Sequence, residues 1–151
     1  PRGLISRFYQ SPDSPRKPPK ITDLKRSAGG FLPRIGEAEG LPAWFSEEDL
    51  HYVVGQFEQS GFRGGVNYYR NIERNWKLTE DLKDHNIKVP TLFLAGSQDM
   101  VIAGASKESL ESSMKEAIPL LEEVILLPNI GHWVQQEAAE QTNSILIDFL
   151  K

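Results

Sequence analysis

Two side chains in this sequence are of the types, and stand at the positions, that water-activating chemistry requires. Asp99 follows the apolar run 87–96 (IKVPTLFLAG) after only Ser97 and Gln98. His132 follows a second apolar run, 121–127, through Pro128-Asn129-Ile130-Gly131. Imidazole is the side chain whose ordinary titration lies nearest neutrality, so it is the common general base. A carboxylate that accepts one ring N–H fixes the tautomer and leaves the other nitrogen free to take a proton. Each residue alone has an ordinary explanation. Asp is frequent in strand-to-loop turns, and a histidine there can simply cap or pack. The pair says more than either member. The residues lie 33 positions apart, the length of one strand–helix–strand unit. Neighbouring parallel strands would bring their ends to within about 5 Å.

The runs that carry them read as strands. Residues 87–96 are apolar, partly β-branched and end in Gly96-Ser97, as in a parallel strand buried on both faces. Pro90 then belongs at the strand's start, where a missing donor is tolerated. Residues 121–127 repeat the pattern. A polar helix is expected over 106–117. A closing amphipathic helix is expected over 135–150, with Ala138, Ile145, Leu146 and Phe149 inward. Strand, helix, strand, helix at these spacings implies a parallel α/β sheet with its functional groups beyond the carboxyl ends of the strands. Acid followed by histidine is the α/β-hydrolase order, in which the nucleophile comes earlier. No G-x-S-x-G occurs, and no Ser or Asp stands in a Gly-flanked strand-to-helix turn. Two parallel strands leave unpaired edges. The sequence therefore predicts that further sheet, and the nucleophile, lie outside these 151 residues.

The N-terminal half has another texture. Most of the prolines fall before residue 45, four of them in SPDSPRKPPK at 11–20. Proline removes a donor and biases its predecessor away from helix, so a surface excursion is expected. Gly29-Gly30 and Leu32-Pro33 extend the irregular reading. Ser46-Glu47-Glu48-Asp49 then supplies a hydroxyl N-cap and first-turn acids. Leu50, Val53, Val54 and Phe57 form an apolar stripe, and Ser60-Gly61 ends that helix. A second helix is expected from about 65 to 76 through Tyr68, Tyr69, Ile72 and Trp76. We divide the chain into 1–80, helix and loop, and 81–151, the end of an α/β sheet.

Composition excludes several classes. With no cysteine, disulfides, thiol nucleophiles and Cys-based metal sites are ruled out. His51, His85 and His132 form no ligand motif with one another, so no metal or other cofactor is expected. A net charge of −4 without a Lys/Arg block points to neither nucleic acid nor a membrane surface as partner. No run is long enough to span a bilayer, and no leader-like segment opens the chain. A cytoplasmic protein is the default expectation.

The motifs together carry a resemblance. Ser46-Glu47-Glu48-Asp49-Leu50, then 56–65 (QFEQSGFRGG), Asn67-Tyr68-Tyr69-Arg70-Asn71 and Glu73-Arg74-Asn75-Trp76 resemble the cap segment of soluble epoxide hydrolases. Pro90-Thr91-Leu92-Phe93-Leu94-Ala95-Gly96 with Asp99, and Gly131-His132-Trp133 with Gln135, resemble that family's acid and histidine loops. The match covers about 41–151. It implies the C-terminal part of an α/β-hydrolase core with a helical cap: 1–80 in the cap, 81–151 in the core. It implies that Tyr69 donates a proton to the opening epoxide oxygen, that His132 activates water against a covalent ester, that Asp99 orients His132, and that Trp133 contacts substrate. The implied partners are a small epoxide, the N-terminal part of the same hydrolase and a second copy of the chain. The family's Asp nucleophile, HGxP segment and second cap tyrosine have no counterpart here. Asp99 and His132 do not by themselves separate an epoxide hydrolase from a haloalkane dehalogenase or ester hydrolase; the Tyr69 motif favours the epoxide. A third alternative is a chain that is inert, or an interaction module, in isolation.

Overall fold

The computed structural model describes residues 1–20, 30, 32–83, 85–102 and 104–151. The backbone divides into two compact units, Pro1–Gly61 and Phe62–Lys151.

Among its described residues the first unit holds two α-helices, α1 (Arg2–Phe8) and α2 (Glu47–Ser60). Helix α1 was not expected from the sequence. Its apolar Leu4, Ile5 and Phe8 have helical spacing, but only Ile5 is buried, so the stripe is too short to stand out. The proline-rich stretch is exposed, as expected, yet it is pinned. Lys17 donates its N–H to the Glu37 carbonyl at 2.9 Å, Glu39 returns one to Pro15 at 3.0 Å, and Arg16 bridges Ala38 antiparallel. Leu32-Pro33-Arg34 makes one 3-10 turn; Gly29 lies outside the described residues. Ile5, Phe45 and Leu50 are the buried apolar residues of this unit. Tyr9 stacks on Phe45 with ring centroids 4.7 Å apart, and Trp44 donates its indole N–H to Ser11 Oγ at 2.8 Å. Helix α2 begins and ends where the sequence predicts. Ser46 Oγ accepts the Asp49 N–H at 3.1 Å while Asp49 Oδ2 accepts the Ser46 N–H at 2.9 Å, a capping box with Asp in the third position. Gly61 ends it at φ 64°, a conformation that glycine adopts without steric cost.

The second unit runs α3 (Arg63–Arg70), α4 (Ile72–Leu78), β1 (Thr91–Gly96), α5 (Lys107–Lys115), β2 (Leu121–Leu127), α6 (Val134–Glu137) and α7 (Ala139–Phe149). Two expected helices are each broken in two. The first breaks at Asn71, whose side-chain amide and N–H both take the Asn67 carbonyl, at 2.8 and 3.1 Å. Such local amide bonds compete with the helical ladder. Tyr68, Tyr69, Ile72 and Trp76, through which the expected helix runs, are all exposed. The second breaks at Ala138 (φ −135°, ψ 50°). That bend lets the buried Thr142 hydroxyl reach back to the Val134 carbonyl at 3.2 Å.

Strands β1 and β2 pair in parallel, in the order β1-β2. The ladder starts at Thr91, right after Pro90 and later than the expected 87. Thr91 pairs with Leu121 but Leu92 with Glu123, so β2 carries one extra residue at its beginning. From there the register is regular, ending at Gly96 beside Leu127. Leu94, Ile125 and Leu127 pack with Ile130, Val134, Ala138 and Ile145 into one apolar cluster. Val124 is fully buried, whereas most strand residues are only half-buried. The double-sided burial read from the sequence is not met: among the described residues most strand positions are half-buried and two in β2 are exposed. Leu146, expected inward, is exposed.

Ser46→Ala should cost about 1 kcal/mol by removing the side-chain cap of α2, measurable as a shift in denaturation midpoint of the natural gene product. The hydrogen bonds from Ser46 also hold the Asp49 carboxyl below its ordinary value of 3.8. A carboxyl lowered in the folded state stabilises fully above its unfolded value and loses that contribution as pH falls through the folded one. The Ser46→Ala deficit should therefore shrink below about pH 4. A deficit unchanged between pH 7 and pH 3 would show that the box does not act through the ionised Asp49.

Candidate active site

The two strands end flush, and their following loops are sewn together. Ser97 donates its N–H to the Leu127 carbonyl at 2.8 Å, and Gln98 to the Ile130 carbonyl at 2.9 Å. In return Asn129 donates its N–H to Ser97 Oγ at 3.1 Å. Asn129 sits at φ 62°, a left-handed turn that asparagine tolerates better than most residues. The loops cross at Gly96. A Cβ there would collide with the Ile130 and Gly131 carbonyl oxygens. Glycine at this strand end is thus required by close approach of the histidine loop, and by no unusual φ.

This crossing brings the two sequence-predicted residues together. His132 Nδ1 lies 3.0 Å from both Asp99 Oδ1 and Asp99 Oδ2. The Asp99 carboxylate also accepts the Val101 N–H, through Oδ1, at 2.8 Å. Asp99 is buried and its side chain 13% exposed, whereas the His132 side chain is 50% exposed. A carboxylate shielded from water and held by a main-chain donor is a fixed anchor for an imidazole N–H. Placing the proton on Nδ1, where only an acceptor faces it, leaves Nε2 as the basic lone pair. Nε2 makes no hydrogen bond to a described residue. The Trp133 ring meets the His132 ring edge-on, centroids 5.3 Å apart at 74°, and limits the imidazole's freedom on that side. The arrangement can accept a proton from water and pass it outward; it contains no nucleophile for covalent chemistry.

Tyr69 is not brought to this pair. It stands on α3, 73% exposed, with its ring edge-on to Tyr68 at 6.0 Å. Its hydroxyl makes no hydrogen bond to a described residue. No group of three His, Asp or Glu able to hold a metal exists among the described residues.

Sequence reasoning missed three supporting residues: Gly96 as a crossing point, Ser97 as an acceptor, and Glu137. The Glu137 carboxylate accepts the Gly131 N–H at 3.0 Å and the Trp133 N–H at 3.1 Å. A weak signal existed. Trp133 precedes the first residue of α6, so Glu137 stands one position beyond the usual capping-box acid.

Gly96→Ala should destabilise the natural gene product by about 1–3 kcal/mol through overpacking against backbone. Gly55→Ala, in the interior of α2 where an added Cβ meets nothing, should stabilise it by about 0.5–1 kcal/mol. Equal effects of the two in urea unfolding would show that the crossing is looser than described.

Relatives place this geometry in a wider frame. No protein-family model matches the chain. Epoxide hydrolase A of Mycobacterium tuberculosis is 40% identical over 125 residues, covering 80% of this chain and 36% of that protein. Epoxide hydrolase 2 of Siraitia grosvenorii is 39% identical over 150 residues, covering 98% of this chain and 45% of that protein. Among solved structures, epoxide hydrolase A from Mycobacterium thermoresistibile superposes with a TM-score of 0.80 at 35% identity, over 99% of this chain and 46% of that one. The chain thus spans less than half the length of the relatives it matches. By sequence and by fold, the chain is similar to the C-terminal part of epoxide hydrolases of the α/β-hydrolase fold.

Proposed function

We propose that this chain supplies the water-activating half of an epoxide hydrolase that converts an epoxide to a vicinal diol. The observation that carries the proposal is the bond from His132 Nδ1 to both oxygens of the buried Asp99, in a chain related throughout its length to epoxide hydrolases. In the first step a carboxylate from outside these 151 residues attacks an epoxide carbon. The carbon–oxygen bond breaks, the attacking oxygen becomes an ester, and the ring oxygen takes the Tyr69 hydroxyl proton. In the second step His132 Nε2 removes a proton from water as the water oxygen attacks the ester carbonyl. Collapse releases the second hydroxyl of the diol and the free carboxylate. The proton held by His132 then restores Tyr69, and one water is consumed per epoxide. Asp99 keeps Nδ1 protonated and offsets the charge of the transient imidazolium.

Tyr69 enters on its motif and on its exposed side chain, whose hydroxyl bonds no described residue; it would meet the epoxide only as part of a cap. Residues 1–80 would form part of that cap and 81–151 the end of the core. Trp133, half-buried beside His132, would line the substrate. A small epoxide, the remainder of the hydrolase and a second copy of the chain are the proposed partners. A cytoplasmic setting suits a chain with no cysteine and, among the described residues, no helix long and apolar enough to cross a membrane.

In the natural gene product, His132→Ala should let the covalent ester form and persist, with turnover reduced at least about a hundredfold. Tyr69→Phe should slow ester formation itself by a similar factor with no loss of fold. Mass spectrometry of the protein after mixing with an epoxide separates the two. Undiminished turnover in His132→Ala refutes the reading, and turnover of a haloalkane with none of any epoxide would reassign the reaction.

A further inference from the structure

From the contacts around the histidine loop we infer that Glu137 is the positioning residue that fixes His132 for the ester-hydrolysis step. The inference rests on the proposed role of His132. The loop reaches His132 through Gly131, the residue type with the most backbone freedom to lose. The His132 side chain is half-exposed, so packing alone does not hold it. Asp99 fixes one ring nitrogen, but a single pivot at Nδ1 leaves the ring free to swing about that bond. The main chain must fix the other end. The Glu137 carboxylate does so by taking the N–H on each side of His132: Gly131 N–H on Oε2 at 3.0 Å, Trp133 N–H on Oε1 at 3.1 Å. Both bonds are partly shielded, and charge-assisted bonds of this kind are stronger than neutral ones.

Glu137 is itself anchored. Its N–H donates to the Trp133 carbonyl at 2.8 Å, and it is the last residue of α6. Val134 and Ala138, on either side of that turn, are buried in the apolar cluster with Leu127. The carboxylate thus ties the loop to the core rather than to another loop. Two bonds are needed because one would act as a hinge. With both, the His132–Trp133 peptide plane and the Ile130–Gly131 plane one residue further back are held, so the backbone is fixed on either side of His132 and the swing of its Cα–Cβ bond is restricted. An error of about 1 Å in such a group can cost on the order of a hundredfold in rate.

The test uses the natural gene product with Glu137→Gln and Glu137→Ala. Gln is isosteric but offers one acceptor oxygen and presents an N–H group to the second main-chain donor, so one bond is lost. Ester formation and ester hydrolysis are followed separately by rapid-quench mass spectrometry with an epoxide in excess. The expected result is unchanged ester formation with hydrolysis slowed about tenfold in Gln and up to about a hundredfold in Ala. Hydrolysis at the parent rate in Gln overturns the inference. So does a parallel slowing of both steps, the mark of a merely structural residue. A second readout does not depend on epoxide chemistry. The His132 Nδ1 proton, held against Asp99, should give a downfield proton resonance in the parent that broadens in Gln at unchanged thermal midpoint. An unchanged resonance overturns the clamp. Broadening of the resonance in Gln, with a parent that never forms an ester from an epoxide, leaves the clamp supported and removes the reaction assigned to it.

Discussion

The second unit depends on the close crossing of two loops at one glycine. The acid loop and the histidine loop leave adjacent parallel strands and exchange main-chain hydrogen bonds at Ser97, Gln98, Leu127 and Ile130. Only a residue without a Cβ permits that spacing at position 96. Because the bonds are between main-chain groups, the distance between the two Cα positions does not rely on side-chain packing. The contact between Asp99 and His132 is therefore a product of the sheet itself.

Much of this was legible in the residues. The strands announced themselves by apolar runs ending in Gly-Ser and Pro-Asn, and the parallel arrangement by their spacing. Asp99 and His132 could be paired from those positions alone. The capping box at Ser46 needed only the local pattern. What escaped reading was whatever depends on contacts distant in sequence or on a single bond. Asn71 and Ala138 interrupt helices that periodicity draws as continuous, because a pattern of apolar spacing does not report a side-chain amide taking a helical carbonyl. Gly96 looked like a strand terminator and is a point of contact. Glu137 fell within the expected closing helix with no role read for it.

The apolar pattern also misled where it assumed a filled interior. Leu146 was read onto the apolar side of the closing helix yet is exposed. Both strands were read as covered on two sides and are half-covered. Periodicity says which residues share a face, not whether anything lies against it. The comparison with relatives more than twice as long bears on the same point, for in a longer chain more of that surface has a partner available. In the N-terminal unit the difficulty was of another kind. There the proline-rich segment is held by two main-chain bonds to Glu37 and Glu39, which make one antiparallel bridge between Arg16 and Ala38, an attachment with no compositional signature.

The extra residue at the start of β2 has an effect at the opposite end of the sheet. Were the ladder regular from Thr91 and Leu121 onward, Gly96 would stand beside Leu126, and the second strand would overshoot the first by one residue, about 3.3 Å. Side chains would also exchange faces along the whole of β2. The irregularity between Thr91 and Leu92 absorbs that residue early, so the strands finish level and Leu127 can receive the Ser97 N–H. Strand length here works as a ruler: an insertion or deletion in 121–123, far from the site, would be read out as a displacement of the base relative to its acid by about the length of a hydrogen bond.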